Sequence, residues 1–288
     1  MPEGNSIISL GDLSKPATVL IEKVSNAIGV LYEPRRIVNR AEAEAKAEKI
    51  KCMASIELNE IQQRAIDRFV QQEAKKQENI EQITAQAAIN IPPEAKTEDL
   101  EEDWIAHFFD RCEKVSDEQM QSLWSRLLAS EATKPGSYSK RTVDFIATMD
   151  KSDADLFTKF CQFIWVIGDA TPLIFDSSNE IYTKHGITFA SLKHLDSIGL
   201  ISFDSSGGYR RYKFPKNTII FYYGLPTLLE FHKENDNQIN VGKVLLTQAG
   251  RELVNICCSE RNQEFYEYAI DNLSRQNIIL SSALTNKK

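Results

Sequence analysis

Histidine, glycine and tryptophan are sparse in this chain: 4 His, 12 Gly and 3 Trp in 288 residues. The histidines, His107, His185, His194 and His232, lie far apart, and no Ser-His-Asp or Cys-His spacing marks a nucleophile. No Walker or dinucleotide glycine pattern occurs. Gly207-Gly208 reads as a turn, because a phosphate-cradling loop would open a helix. Cysteines number 5 (Cys52, Cys112, Cys161, Cys257 and Cys258), with no Cys-x-x-Cys pair and no His at zinc-ligand spacing. An odd count without a secretion signal fits a reducing cytosol, so the expected location is cytoplasmic. No apolar run is long enough to span a bilayer. His107 shares a helix with Asp103 and Asp110, but a solvated acidic face is the commoner meaning of such a group. The expectation is therefore a protein that is not an enzyme, with no cofactor and no metal.

Hydrophobic residues make up 42% and charged residues 26%, which is enough apolar material for folded cores. The net charge of −7 argues against a general nucleic-acid coat. From residue 16, Val19, Leu20, Val24, Ile28 and Leu31 recur at helical spacing, with Pro16 in the first turn. Glu33-Pro34 breaks that helix. Residues 36–90 contain neither Pro nor Gly and are mostly good helix formers. As one helix they would span roughly 80 Å at 1.5 Å per residue; a helical hairpin fits equally well. Ile50, Ala54, Leu58, Ile61, Ala65 and Phe69 form a candidate seam, and covering it makes a homo-oligomer the expectation.

Pro92-Pro93 is the clearest boundary. Between Glu94 and Lys134 there are 11 acidic against 5 basic residues. Ser116 with Gln119 matches a capping box leading into Met120–Ala129. Asp150–Asp153 starts a further helix with Leu156, Phe157, Phe160, Phe163 and Ile164 inside. Thr171–Phe175 and Ile181-Tyr182 read as short strands.

Thr188–Cys258 has the order of a winged helix: a helix over 189–198, Gly199 as its left-handed stop, then Leu200–Phe203 turning at Ser205–Gly208 into Tyr209–Phe214. Thr247 caps a last helix. From Lys184 to Lys216 there are 6 Lys or Arg and 2 Asp. Candidate nucleic-acid-binding residues are Lys193 and His194 on the helix and Arg210, Arg211 and Lys213 on the wing. The helix lacks the Arg, Asn or Gln that most often reads bases. The expected fold class is mainly α with a smaller α+β part. It comprises an N-terminal helical stalk (1–91), an acidic helical region (92–150), a winged-helix-like domain (151–258) and a C-terminal helix and tail (259–288).

Leu13–Ser25, Gly29–Arg35, Ala41–Ala47 and Arg68–Ile80 resemble an uncharacterised bacterial domain-of-unknown-function family, nearly along the whole chain. Arg40–Lys49 also resembles the stalks of stomatin-like membrane scaffolds. The back half is similar to the abortive-infection alpha family, in Leu-Trp-x-x-Leu-Leu-Ala (123–129), Leu-x-x-Leu-x-x-x-Gly-Leu-Ile (192–201) and Leu-Thr-x-x-Gly-x-x-Leu (246–253). That resemblance implies a role in phage defence and carries no catalytic residues. The leading expectation is a sensor or scaffold acting through a protein partner. A winged-helix DNA-binding regulator and a membrane-surface coiled-coil scaffold are the alternatives.

Overall fold

The computed structural model describes residues 13–29 and 60–282. Their architecture is mixed, with helix more abundant than strand. The chain divides into two compact units, Met1–Ala147 and Thr148–Lys288. Residues 91 and 258, read from sequence as region boundaries, both lie inside these units.

In the first unit, α1 (Lys15–Ile28) starts at Ser14, whose side chain accepts the Ala17 amide, and stops at Gly29 with φ +74°. Its apolar stripe, including Ala17, Leu20, Ile21 and Val24, is buried within this unit, where α1 packs on α2 (Glu60–Asn90) and α3 (Glu102–Cys112). That burial takes the stripe away from the membrane-surface reading. In α2 only the C-terminal half is buried, through Ile80, Ile83, Ala87 and Ala88. Ile61 and Phe69 of the expected seam are 70% and 62% exposed. Ile50, Ala54 and Leu58 lie outside the described residues, as does the Pro34 break.

Helix α4 (Glu118–Thr133) is capped by Asp117, whose carboxylate accepts the amides of Gln119 and Met120. This corrects the expected Ser116 cap: a carboxylate one position later takes the amides that the hydroxyl would have served. Trp104, Phe108 and Trp124 form the aromatic centre, with successive ring centroids 5.2 Å apart. Buried Glu131 closes the loop before α5 (Lys140–Ala147), accepting the amides of Gly136 at 2.6 Å and Tyr138 at 2.8 Å.

The second unit opens with α6 (Lys151–Cys161), started by an Asp150/Asp153 capping box. Phe163 and Ile164 do not continue this helix as expected. The chain turns at Gln162 into β1 (Ile164–Ile167), which pairs with β2 (Asp169–Pro172). Ile181-Tyr182 is helical and not a strand, lying in α7 (Glu180–Thr183) under an Asn179 cap. Next come α8 (Phe189–Ser197), β3 (Ile201–Phe203), β4 (Tyr209–Phe214), β5 (Asn217–Tyr222) and β6 (Leu225–Glu230). The unit ends with β7 (Asn237–Gly242), β8 (Val244–Leu246), α9 (Gln248–Val254), α10 (Gln263–Ser274) and β9 (Ile279–Ser282).

A five-stranded antiparallel sheet runs β2-β1-β5-β6-β9. Helix α10 contributes Phe265, Ala269 and Leu273 to the core, with Phe265 edge-on to Phe163 and Tyr222. Beside this sheet, β3 pairs with β8 and β4 with β7. The strands flanking Ser205–Gly208 therefore do not pair with each other, which corrects the expected wing hairpin. Asp204 organises that loop internally, accepting the amides of Ser206, Gly207 and Gly208. Four such hydrogen bonds, including one from the Ser206 hydroxyl, hold its carboxyl down at about 2.

Candidate functional site

The five basic residues singled out by sequence occupy different environments. On α8, the Lys193 ammonium lies 3.3 Å from Asp196 and 5.2 Å from the centre of the Phe203 ring. His194 meets Asp153 of α6 at 2.6 Å. Among the described residues, no hydrogen bond or ion pair links either of them to β4. Arg211 is committed elsewhere: its guanidinium donates to the Ile167 carbonyl at 2.5 Å, to the Thr171 hydroxyl at 2.7 Å and to the Asp169 carboxylate. It thereby fastens the β1–β2 turn to the ribbon. Arg210 and Lys213 stay exposed, with exposed Tyr212 between them. Lys213 has φ +64°, at a break in register between Arg211 and Phe214. That break is a bulge, which re-aims side chains along an otherwise alternating strand.

One face of the five-stranded sheet is apolar and open. Strand alternation places Val166, Ile219, Phe221, Pro226, Leu228 and Ile279 on one side, because Val166 pairs with Phe221, Phe221 with Pro226, and Ile219 with Leu228. Ile279 joins them through the β6–β9 pairing, opposite Glu230. Val166, Ile219, Phe221 and Ile279 are 44%, 55%, 40% and 54% exposed. The alternate residues Trp165, Ile220, Tyr222 and Leu229 are buried on the other side. A half-buried sheet normally shows water a polar face, so this grouping of large apolar side chains is unusual.

A cleft of about 790 Å³ opens between the end of α6, the residues after α7, and residues 258–264. Its back wall is polar. The Asn262 side-chain amide donates to Gln162 Oε1 at 2.9 Å and to His185 Nε2 at 3.0 Å, while its carbonyl oxygen caps α10 through the Phe265 amide. Accepting at Nε2 assigns the His185 proton to Nδ1. Burial, and then the nearby Lys184 charge, hold this imidazole below its ordinary range and keep it neutral. Tyr222 braces the wall from behind, donating to the Gln162 carbonyl at 2.8 Å and accepting the Asn262 amide at 3.0 Å. Lys159 and Arg261 stand at the rim, where Arg261 lies over the Tyr266 ring.

Sequence reasoning missed this cleft, because Gln162, His185 and Asn262 fit no motif and meet only through the fold. Among the described residues, no group of three or more His, Cys, Asp and Glu is placed to hold a metal ion. No helix among them is long and apolar enough to cross a membrane. Comparison with known proteins finds no matching curated protein and no matching solved structure. The model of a family described as "Protein of unknown function (DUF2806)" matches residues 63–270, and the chain belongs to that family.

Proposed function

We propose that the chain is a cytoplasmic interaction protein without catalytic activity, a sensor or scaffold in bacterial phage defence that works through protein contacts. The open apolar sheet face around Ile219 and Phe221 carries this reading. Its occupant is a second copy of the chain. The patch is uncharged at its centre around Ile219 and Phe221, and its ionic groups stand at one end, where Glu230 lies opposite Ile279 and Lys216 pairs with Glu234 at 3.0 Å. Such a patch complements itself across a two-fold axis, since like meets like without burying a charge. The resemblance of residues 123–253 to abortive-infection proteins supplies the defence context.

Light scattering on the full chain tests the contact. Wild type should be dimeric, and Ile219→Asp with Phe221→Asp should be monomeric with an unchanged circular dichroism spectrum, because both side chains point outward. A monomeric wild type would eliminate this surface as a self-contact. Plating a broad phage panel on cells with and without the gene tests the context; identical plating throughout would count against defence.

A second reading, a winged-helix-like module binding DNA, is favoured by one observation: Arg210, Tyr212 and Lys213 are all exposed on β4. Helix α8, the ribbon and α9 follow one another in winged-helix order, although the ribbon is built from β3–β8 and β4–β7 pairs. Phosphate contact would come from Arg210 and Lys213, with no contribution from Arg211.

A further inference from the structure

We propose that the outward face of the β4–β7 ribbon binds single-stranded nucleic acid, with Tyr212 as a stacking platform for a base, a role that rests on the DNA-binding reading for the phosphate contacts of Arg210 and Lys213.

The register of the ribbon assembles this face. Arg210 pairs with Asn240 and Arg211 with Ile239, whereas the next pair is Phe214 with Asn237. Two residues of β4, Tyr212 and Lys213, therefore oppose Gln238 alone. Alternation turns Arg211 towards the β1–β2 turn and buries Ile239. Arg210, Tyr212, Lys213, Gln238 and Asn240 are left exposed together, Tyr212 by 62%. Neither strand contains an acid: they read Tyr-Arg-Arg-Tyr-Lys-Phe and Asn-Gln-Ile-Asn-Val-Gly. Among the described residues, no side-chain hydrogen bond or ion pair engages Arg210, Tyr212, Lys213 or Gln238. Asn240 Oδ1 accepts the Gly242 amide at 2.9 Å, which leaves the side-chain NH2 to donate. The Gln276 side chain takes both main-chain groups of Asn240, at 2.8 and 3.1 Å. The ribbon therefore meets a ligand through its side chains and not by adding a strand at that edge.

The chemistry favours a single strand over a duplex. A duplex stacks its bases on one another and presents only their edges, and reading those takes an element in the groove. The helix in that position, α8, offers Lys193 and His194, which Asp196 and Asp153 already hold at 3.3 and 2.6 Å. A single strand leaves its base faces open. An exposed ring takes a base face while the cations beside it follow the phosphates, and this mode tolerates any sequence. Arg210 stands two residues from Tyr212, about 7 Å along the strand.

Fluorescence anisotropy of the full-length protein tests this, with labelled oligo(dT) and oligo(U) of about twelve nucleotides and a duplex of the same length at matched low salt. Wild type should prefer both single strands to the duplex by roughly tenfold, within the range for one stacked base. Tyr212→Ala should lose about that factor, and Tyr212→Phe should bind as wild type because the ring is kept. Arg210→Ala with Lys213→Ala should lower the slope of log affinity against log salt by roughly 1.4, near 0.7 per single-strand phosphate. A duplex bound as tightly as the single strands would overturn the inference and leave the DNA-binding reading standing. Unchanged single-strand affinity in Tyr212→Ala would overturn it as well. A wild type that binds none of the three oligonucleotides would remove both readings.

Discussion

Gly250 stands so close to the backbone of Leu200 that a Cβ at position 250 would lie 2.1 Å from the Leu200 carbonyl oxygen. Thr247 completes the junction. Its amide donates to the same oxygen at 3.1 Å, and its hydroxyl donates to the Gly199 carbonyl at 2.7 Å while accepting the Gly250 amide at 3.1 Å. The Gly-Leu-Ile and Leu-Thr-x-x-Gly segments are thus two halves of one joint, in register through Ile201 and Leu246.

Gly250→Ala should therefore destabilise the second unit. The obstructing atom is backbone, so either the start of α9 or β3 must move, and overpacking of this kind costs about 1–3 kcal/mol. Urea unfolding followed by tryptophan fluorescence would measure it. A loss below ~0.5 kcal/mol would mean that the joint relaxes freely.

Glu131 gives a matching test in the first unit. It is a buried carboxylate whose two oxygens accept separate amides, those of Gly136 and Tyr138. Glu131→Ala leaves both amides without this acceptor; the Tyr138 amide is buried, and a buried unsatisfied group costs about 1–3 kcal/mol, whereas Gly136 is exposed and water can take the place of the carboxylate. Glu131→Gln should fall between wild type and Glu131→Ala, since one oxygen remains. Equal stability of the alanine and glutamine variants would contradict this account.

These cases show which parts of the fold the sequence made legible. The Pro92-Pro93 stop, the Gly199 stop and the Asp150 cap depend on neighbours within a few residues, and local rules suffice for them. The Ser205–Gly208 turn was misread because a hairpin and a loop inside a ribbon need the same local residues. What separates them is the partner strand, which arrives only at Asn237–Leu246. Arg211 looked like a phosphate ligand for a similar reason, since Ile167, Asp169 and Thr171 lie about forty positions earlier. Asn262 carries no signal of its own, and its role exists only where α6, α7 and α10 converge.

Separating Arg210 from Arg211 sharpens the nucleic-acid test. Arg210→Ala with Lys213→Ala removes the two exposed cations of β4 and leaves the β1–β2 turn fastened. If the ribbon contacts duplex DNA, the slope of log affinity against log salt should fall by roughly 2, near 0.9 per phosphate contact. Arg211→Ala should instead lower stability with little change in that slope. Absence of any mobility shift by wild type at low salt would remove the DNA-binding reading altogether.

The cleft wall has its own pH signature. Burial and Lys184 lower the folded-state affinity of His185 for a proton, from an ordinary value of 6.5. A depressed pKa means that the unfolded chain binds the proton first as pH falls. The contribution of neutral His185 is therefore fully present above pH 6.5 and is lost as pH drops through the lower folded-state value. Protonation also removes the Nε2 lone pair that accepts from Asn262, which loosens Gln162 and the start of α10 with it. Thermal midpoints of wild type should fall between pH 7 and pH 5 by more than those of His185→Gln, whose amide oxygen can still accept from Asn262 and does not titrate. Parallel curves for the two proteins would show that His185 plays no part in the acid sensitivity of this unit.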